Sequence, residues 1–182
     1  MKVLVTAFKP FNNAKNNYSM EVLKHLKNVD KLIIDVNYDC CYLEITSKYN
    51  LKEYDFIIAM GEARMRDELT LEIQAKNISS CSIPDNSGIF KKDEMIIKGL
   101  PELIKTEVDL TQLVDLIKFS NDAGKFVCNN LYYHLLCEFP LKSLFIHIPN
   151  CYDLSDEYIK HADTIMKLIN VLYSHKNKEG EI

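Results

Sequence analysis

The sequence has no apolar stretch near the ~20 residues needed to cross a bilayer, so it offers no membrane-spanning segment. It has no CxxC pair, and its five histidines show neither HxxxH nor HExxH spacing. No metal or other cofactor is therefore expected. Cys40 and Cys41 are adjacent, which argues for free thiols rather than a disulfide framework. Positive charge is also scarce. With 22 Lys and Arg scattered among 26 Asp and Glu, the chain presents no broad field to hold a phosphate backbone, and nucleic acid is excluded as a partner. Internal repeats, low-complexity tracts and linkers are absent. The 182 residues, 47% of them hydrophobic, read as a single domain over 1–182 with enough apolar content for a core.

What is present is an alternation of short apolar runs with longer amphipathic stretches, the pattern of strands covered on both faces and joined by crossover helices. Strands are expected at Val3 to Thr6, Lys31 to Val36, Asp55 to Met60 and Ser143 to Ile148, mainly parallel. The opening MKVLVTAF is short, carries no cleavage site and reads as the first of these strands rather than a signal peptide; a cytoplasmic location follows as the expectation. Helical spacing covers Ser19 to Leu26, Cys41 to Tyr49 and Leu110 to Ile117. A long C-terminal helix is expected to open on Ser155, Asp156 and Glu157, to carry the stripe Ile159, Ala162, Ile165, Met166, Ile169 and Leu172, and to fray from His175. The segment from Ile78 to Leu100, with IPDN and Ser87-Gly88, reads as a functional loop or short strands near an edge.

Three polar residues stand out against this scaffold. In NDAGKFVCNN, Gly124 permits a tight turn and the residues from Leu131 onward take helical spacing, so Cys128 falls near a helix N-terminus. Unpaired N–H groups and the helix dipole there favour a thiolate nucleophile, while a buried Cys acting as a small hydrophobe fits the same placement. His147 in FIHIP stands at the carboxyl end of a strand, where open α/β sheets place their sites; it reads as a general base or as a core histidine bonded to backbone. In LTLEIQAKN, Leu69, Leu71, Ile73 and Ala75 share one strand face and Glu72 points the other way, either to orient an imidazole or simply to meet solvent.

Together these segments resemble the pyroglutamyl peptidase I, or pyrrolidone-carboxylate peptidase, family. TAFKPF looks like its TGFxPF, GEARMRDELTLEIQAKN like its GxAGGRxxITxERxAIN, and AGKFVCNN like its AGTFVCNH, while IPDN and FIHIP match its motifs as they stand. Five segments in one order cover most of the chain. The resemblance implies an α/β fold, a three-layer α/β/α sandwich with a mostly parallel central sheet, and a thiol peptidase that removes N-terminal pyroglutamate from peptides. It implies Cys128 as nucleophile, His147 as general base and Glu72 as its orienting acid. It further implies substrate binding by Phe8, Phe11, Asn17, Glu62 and Val127, and a small peptide with a blocked or modified N-terminus as partner. The family forms tetramers, so a homo-oligomer is among the assemblies it implies.

Departures from the family pattern gather around substrate binding. Ser82 stands in place of an arginine before IPDN that helps hold the developing oxyanion, and losing one such donor costs about two to three powers of ten in rate. Glu62 replaces a glutamine that contacts the lactam, and Arg64-Met65 and Asn12-Asn13 each replace a Gly pair. Ile73 replaces an arginine, Lys125 replaces a threonine, and the chain is shortened before Asn121. These changes also admit an amidase or aminopeptidase using the same triad on another N-terminal group, or a non-catalytic binding protein that kept the fold.

Overall fold

The computed structural model describes residues 1–152 and 154–179. Asp153 and residues 180–182, which belong to the expected 1–182 domain, lie outside the described residues. In chain order the elements are β1 (Val3–Phe8), α1 (Tyr18–His25), β2 (Asp30–Ile34), α2 (Cys41–Lys48), β3 (Phe56–Glu62), β4 (Thr70–Glu72), β5 (Gln74–Lys76), β6 (Leu103–Lys105), β7 (Lys118–Ser120), α3 (Val127–Glu138), β8 (Ser143–Ile148) and α4 (Ser155–Glu179). Short 3-10 turns occupy Leu51–Glu53 and Thr111–Leu113.

The central sheet has the order β2-β1-β3-β8-β4-β7. Strands β2, β1, β3 and β8 run parallel, β4 is antiparallel to β8, and β7 is parallel to β4. The runs VLVTAF and SLFIHI are buried along their whole length because helices cover both faces, so neither needs the polar alternation of a half-exposed strand. Val3, Val5, Ala7, Ile58 and Ile146 pack with Val22 of α1 and Ile165, Leu168 and Ile169 of α4 on one side. Leu4, Phe8, Ile57, Ala59 and Phe145 pack with Ile45 of α2 and Leu131 and Leu135 of α3 on the other. The result is the expected three-layer α/β/α sandwich. No helix among the described residues is long and apolar enough to cross a membrane.

Three expectations are corrected. Leu110 to Ile117 does not form an α-helix. Only Leu113 and Ile117 are buried and Val114 is exposed, and the segment closes mainly through i→i+3 bonds such as Leu116 N–H to Leu113 O. Eight residues are too few for a helix to hold without a broad packed face. The LTLEIQAKN run is not one strand. It leaves the central sheet after Glu72, where Ile73 N–H still donates to Ser120 O, and continues as β5 paired antiparallel with β6. Ala75 consequently packs in the opposite core from Leu71. In α4 the helix continues to Glu179, past His175, and Ile159 is exposed while Tyr158 and Leu168 take buried places.

The segment from Ile78 to Leu100 holds no strand, only an isolated bridge between Ser79 and Glu94. Its order comes from Asp85, whose Oδ1 accepts from Ser87 N–H, Ser87 Oγ and Ile89 N–H, and whose Oδ2 accepts from Tyr38 N–H. Burial alone would raise the Asp85 pKa, but these donors hold it below the usual value. Asn86 extends the knot, donating to Pro10 O and Asp35 Oδ1. The IPDN motif thus ties the loop after β1 to the loop after β2.

A second tether anchors the start of α3. Asn129, fully buried, donates from Nδ2 to Lys76 O and Ile78 O at 2.8 and 2.9 Å and accepts from Lys76 N–H at 2.8 Å. Replacing Asn129 with Ala removes all three bonds and strands buried backbone groups. Urea unfolding of that variant should show a loss of about 2–4 kcal/mol.

Candidate active site

The antiparallel pairing of β4 with β8 sets Thr70 opposite His147 and Glu72 opposite Phe145, so Glu72 and His147 are diagonal neighbours on one sheet face. Their side chains meet. His147 Nδ1 lies 2.7 Å from Glu72 Oε1, and both residues are buried. An ionised carboxylate only accepts, so Nδ1 carries the proton and Nε2 keeps its lone pair. Phe145, with ring centroid 4.9 Å from that of His147, packs against the imidazole and is itself backed by Tyr132, whose hydroxyl donates to Glu72 O.

Arg66 completes this arrangement, and sequence reasoning assigned it no role. Its Nη1 lies 2.6 Å from Glu72 Oε1 and also bonds the Thr70 hydroxyl, and its Nη2 donates to Asp122 O at 2.8 Å. The available signal was its place in GEARMRDE, six residues before Glu72. Burial alone would raise the Glu72 pKa, but the hydrogen bond from His147, with smaller help from Ser120 and the charge of Arg66, brings it below the ordinary carboxylate value. Burial lowers the His147 pKa despite the opposing pull of Glu72. The pair at neutral pH is therefore a carboxylate and a neutral imidazole.

Cys128 is the second residue of α3. Asp122, Ala123 and Gly124 turn the chain into that helix, with Gly124 at φ +78° and its N–H donating to Asp122 Oδ1. Gly61 of β3, paired in register with His147, makes room for the thiol: a Cβ there would lie 2.6 Å from Cys128 Sγ. The helix terminus, expected to favour a thiolate, is opposed at this position. Burial, followed by the nearby charge of Glu72, pushes the thiol up to about 12, outweighing the bond from the Cys128 backbone N–H. A thiol raised in this way needs a base to become a nucleophile.

Cys128 and His147 share the lining of a cavity of about 130 Å³. The expected residues Phe8, Phe11, Asn17, Glu62 and Val127 all line it as well. Val36, Lys125 and Phe126, which sequence reasoning did not assign to the site, also line it; Phe126 packs against Phe11 at 5.7 Å and against the edge of Tyr38 at 5.5 Å. Two of the expected contacts have other work. Asn17 caps α1, its Oδ1 accepting from Ser19 N–H and Oγ and its Nδ2 donating to Lys9 O. Glu62 accepts from Tyr18 N–H at 2.7 Å and from Arg64 Nε at 2.5 Å. Ser82 is exposed and outside the lining. Asn12 and Asn13, at φ 49° and 60°, hold a left-handed turn, a conformation Asn tolerates. A wider groove of about 560 Å³ beside β7 includes Arg66 but neither Cys128 nor His147.

The match to known proteins takes in all the residues of this site. The family model described as pyroglutamyl peptidase matches residues 1–168. The pyrrolidone-carboxylate peptidase of Treponema denticola is 32% identical over 170 residues, covering 82% of this chain and 78% of that protein. That of Thermosipho africanus is 34% identical over 167 residues, covering 82% of each. The crystal structure of pyrrolidone carboxyl peptidase from Fervidobacterium islandicum superposes with a TM-score of 0.83 at 25% identity, covering 96% of this chain and 99% of that one.

Two measurements check the site. The rate of Cys128 alkylation by iodoacetamide should keep rising through pH 9, the ordinary thiol value, instead of levelling near neutrality. Gly61→Ala should displace the thiol and lower its alkylation rate at pH 9 by about tenfold or more, because the new methyl meets Sγ and the Phe145 ring.

Proposed function

Because this chain belongs to the pyroglutamyl peptidase family, we propose that it removes N-terminal pyroglutamyl residues from peptides, with Cys128 as nucleophile, His147 as general base and Glu72 as the group that orients it. The carrying observation is the Glu72–His147 hydrogen bond at 2.7 Å, which leaves Nε2 basic in a cavity shared with a protonated thiol. The substrate carbonyl enters beside Cys128. Nε2 takes the thiol proton as Sγ bonds to the carbonyl carbon, and the oxyanion is held by backbone N–H groups at the start of α3, where Phe126 provides no side-chain cap. His147 then gives its proton to the leaving amine as the C–N bond breaks, leaving a thioester. A water molecule, deprotonated by His147, attacks the thioester and releases pyroglutamate with the thiol restored.

The size of the cavity supports a small ring as the bound group. At about 130 Å³ it is well below the roughly 300–1,000 Å³ of pockets that take drug-sized ligands. Its walls include the rings of Phe8, Phe11 and Phe126, which suit the faces of a lactam. The substrate is thus a peptide whose N-terminus is blocked by cyclisation. Six free cysteines fit action in a reducing compartment such as the cytoplasm.

Hydrolysis of pyroglutamyl-aminomethylcoumarin tests the reading. Cys128→Ala and His147→Ala should each lower kcat by about three powers of ten or more, and Glu72→Gln by somewhat less. The acid limb of kcat/KM should fall below pH 6.5, because burial lowers the His147 pKa and the imidazole stays basic as pH drops toward that value. Absence of turnover at high enzyme concentration, or full activity in Cys128→Ala, would sink the assignment.

A further inference from the structure

The carboxylate of Glu62 lines the cavity beside Cys128, with its side chain only 4% exposed. A lone negative charge in that position would attract a cationic substrate nitrogen and strip the site of its preference for a neutral lactam. The charge is not alone. Arg64 Nε meets Oε1 at 2.5 Å, and Tyr18 N–H, at the positive start of α1, meets Oε2 at 2.7 Å. Arg64 is held over the Tyr18 ring, 4.9 Å from its centroid, and that ring is packed against Tyr158. The one lysine in the lining, Lys125, has its own partner in Asp93 at 3.4 Å.

We propose that Arg64 is a specificity-determining residue: by neutralising Glu62 inside the cavity, it makes the site select the uncharged lactam nitrogen of pyroglutamate over the cationic ring nitrogen of an N-terminal proline. The two rings have the same size and differ in the lactam carbonyl and in charge at nitrogen, so apolar packing alone separates them poorly. This rests on the pyroglutamyl reading given above. With Arg64 removed, Glu62 keeps only the backbone donor, and its charge is felt by whatever ring the cavity holds. Glu62→Gln does the reverse, removing the carboxylate from the cavity lining while the positive charge of Arg64 remains nearby.

The test compares pyroglutamyl- and prolyl-aminomethylcoumarin. In Arg64→Ala the ratio of kcat/KM for the two should fall by about tenfold or more, the scale of one charge contact in a partly screened site. It should return toward the wild-type value in the double variant Arg64→Ala/Glu62→Gln and rise above it in Glu62→Gln alone. Arg64 is about half exposed, at 47%, so folding of its variant is expected and is checked by thermal melting. An unchanged ratio in Arg64→Ala overturns the proposal, as does a fall that the double variant fails to reverse. Should Arg64→Ala not fold, Glu62→Gln decides alone, and a ratio that does not rise overturns the proposal. Calorimetric binding of pyroglutamide and prolinamide in a Cys128→Ala background separates the two claims. A shifted affinity ratio without wild-type turnover defeats the catalytic reading and leaves the selectivity in place, whereas binding of neither amide overturns both.

Discussion

The hydrogen bond between Glu72 and His147 is the constraint that the surrounding structure serves. A carboxylate withdrawn from water is costly unless charge and donors meet it, and removing one member of such a set is worse than never having built it. Arg66 supplies the charge, and the reversal of β4 against β8 supplies the approach. That reversal explains the shape of the far half of the sheet. Four parallel strands carry the core, and the antiparallel β4 is added at the point where an acid must be brought alongside a base. The break after Glu72 follows from the same demand, since β5 then leaves to bind the start of α3 through Asn129.

The parallel core was legible in the sequence because VLVTAF and SLFIHI are continuous apolar runs with only one structural interpretation at that length. The positions of Cys128, His147 and Glu72 were legible as residue types in familiar motifs. Their mutual distance was not, because it depends on strand pairing between residues 75 apart. Local pattern failed where long-range contacts decided the outcome. The spacing from Leu110 to Ile117 is helical, yet the segment only needs to anchor two side chains on its way to β7. The helix-terminus argument for a thiolate sees only one of two opposing effects: proximity to the dipole can be read from order along the chain, whereas the desolvation that raises the thiol cannot.

Several departures from the family pattern come with their own compensation. Glu62 acquires a charge that the glutamine lacked, and Arg64, two residues on, meets it. Asn12-Asn13, standing in place of a Gly pair after TAFKPF, hold a left-handed turn that Asn tolerates among non-glycine residues. Ser82 lies outside the cavity, and in the proposed mechanism the uncapped amides of α3 carry the oxyanion instead.

The knot around Asp85 has a consequence for how the molecule responds to temperature. Cys128 and His147 sit against an apolar core, whose cohesion comes from excluding water and weakens on cooling. The loops that carry Phe11 and Val36 are instead tied together largely by the polar contacts of Asp85 and Asn86. Cys128 and His147 and the cavity wall that faces them are therefore held by forces of different thermal character, and cooling loosens the first without an equal effect on the second.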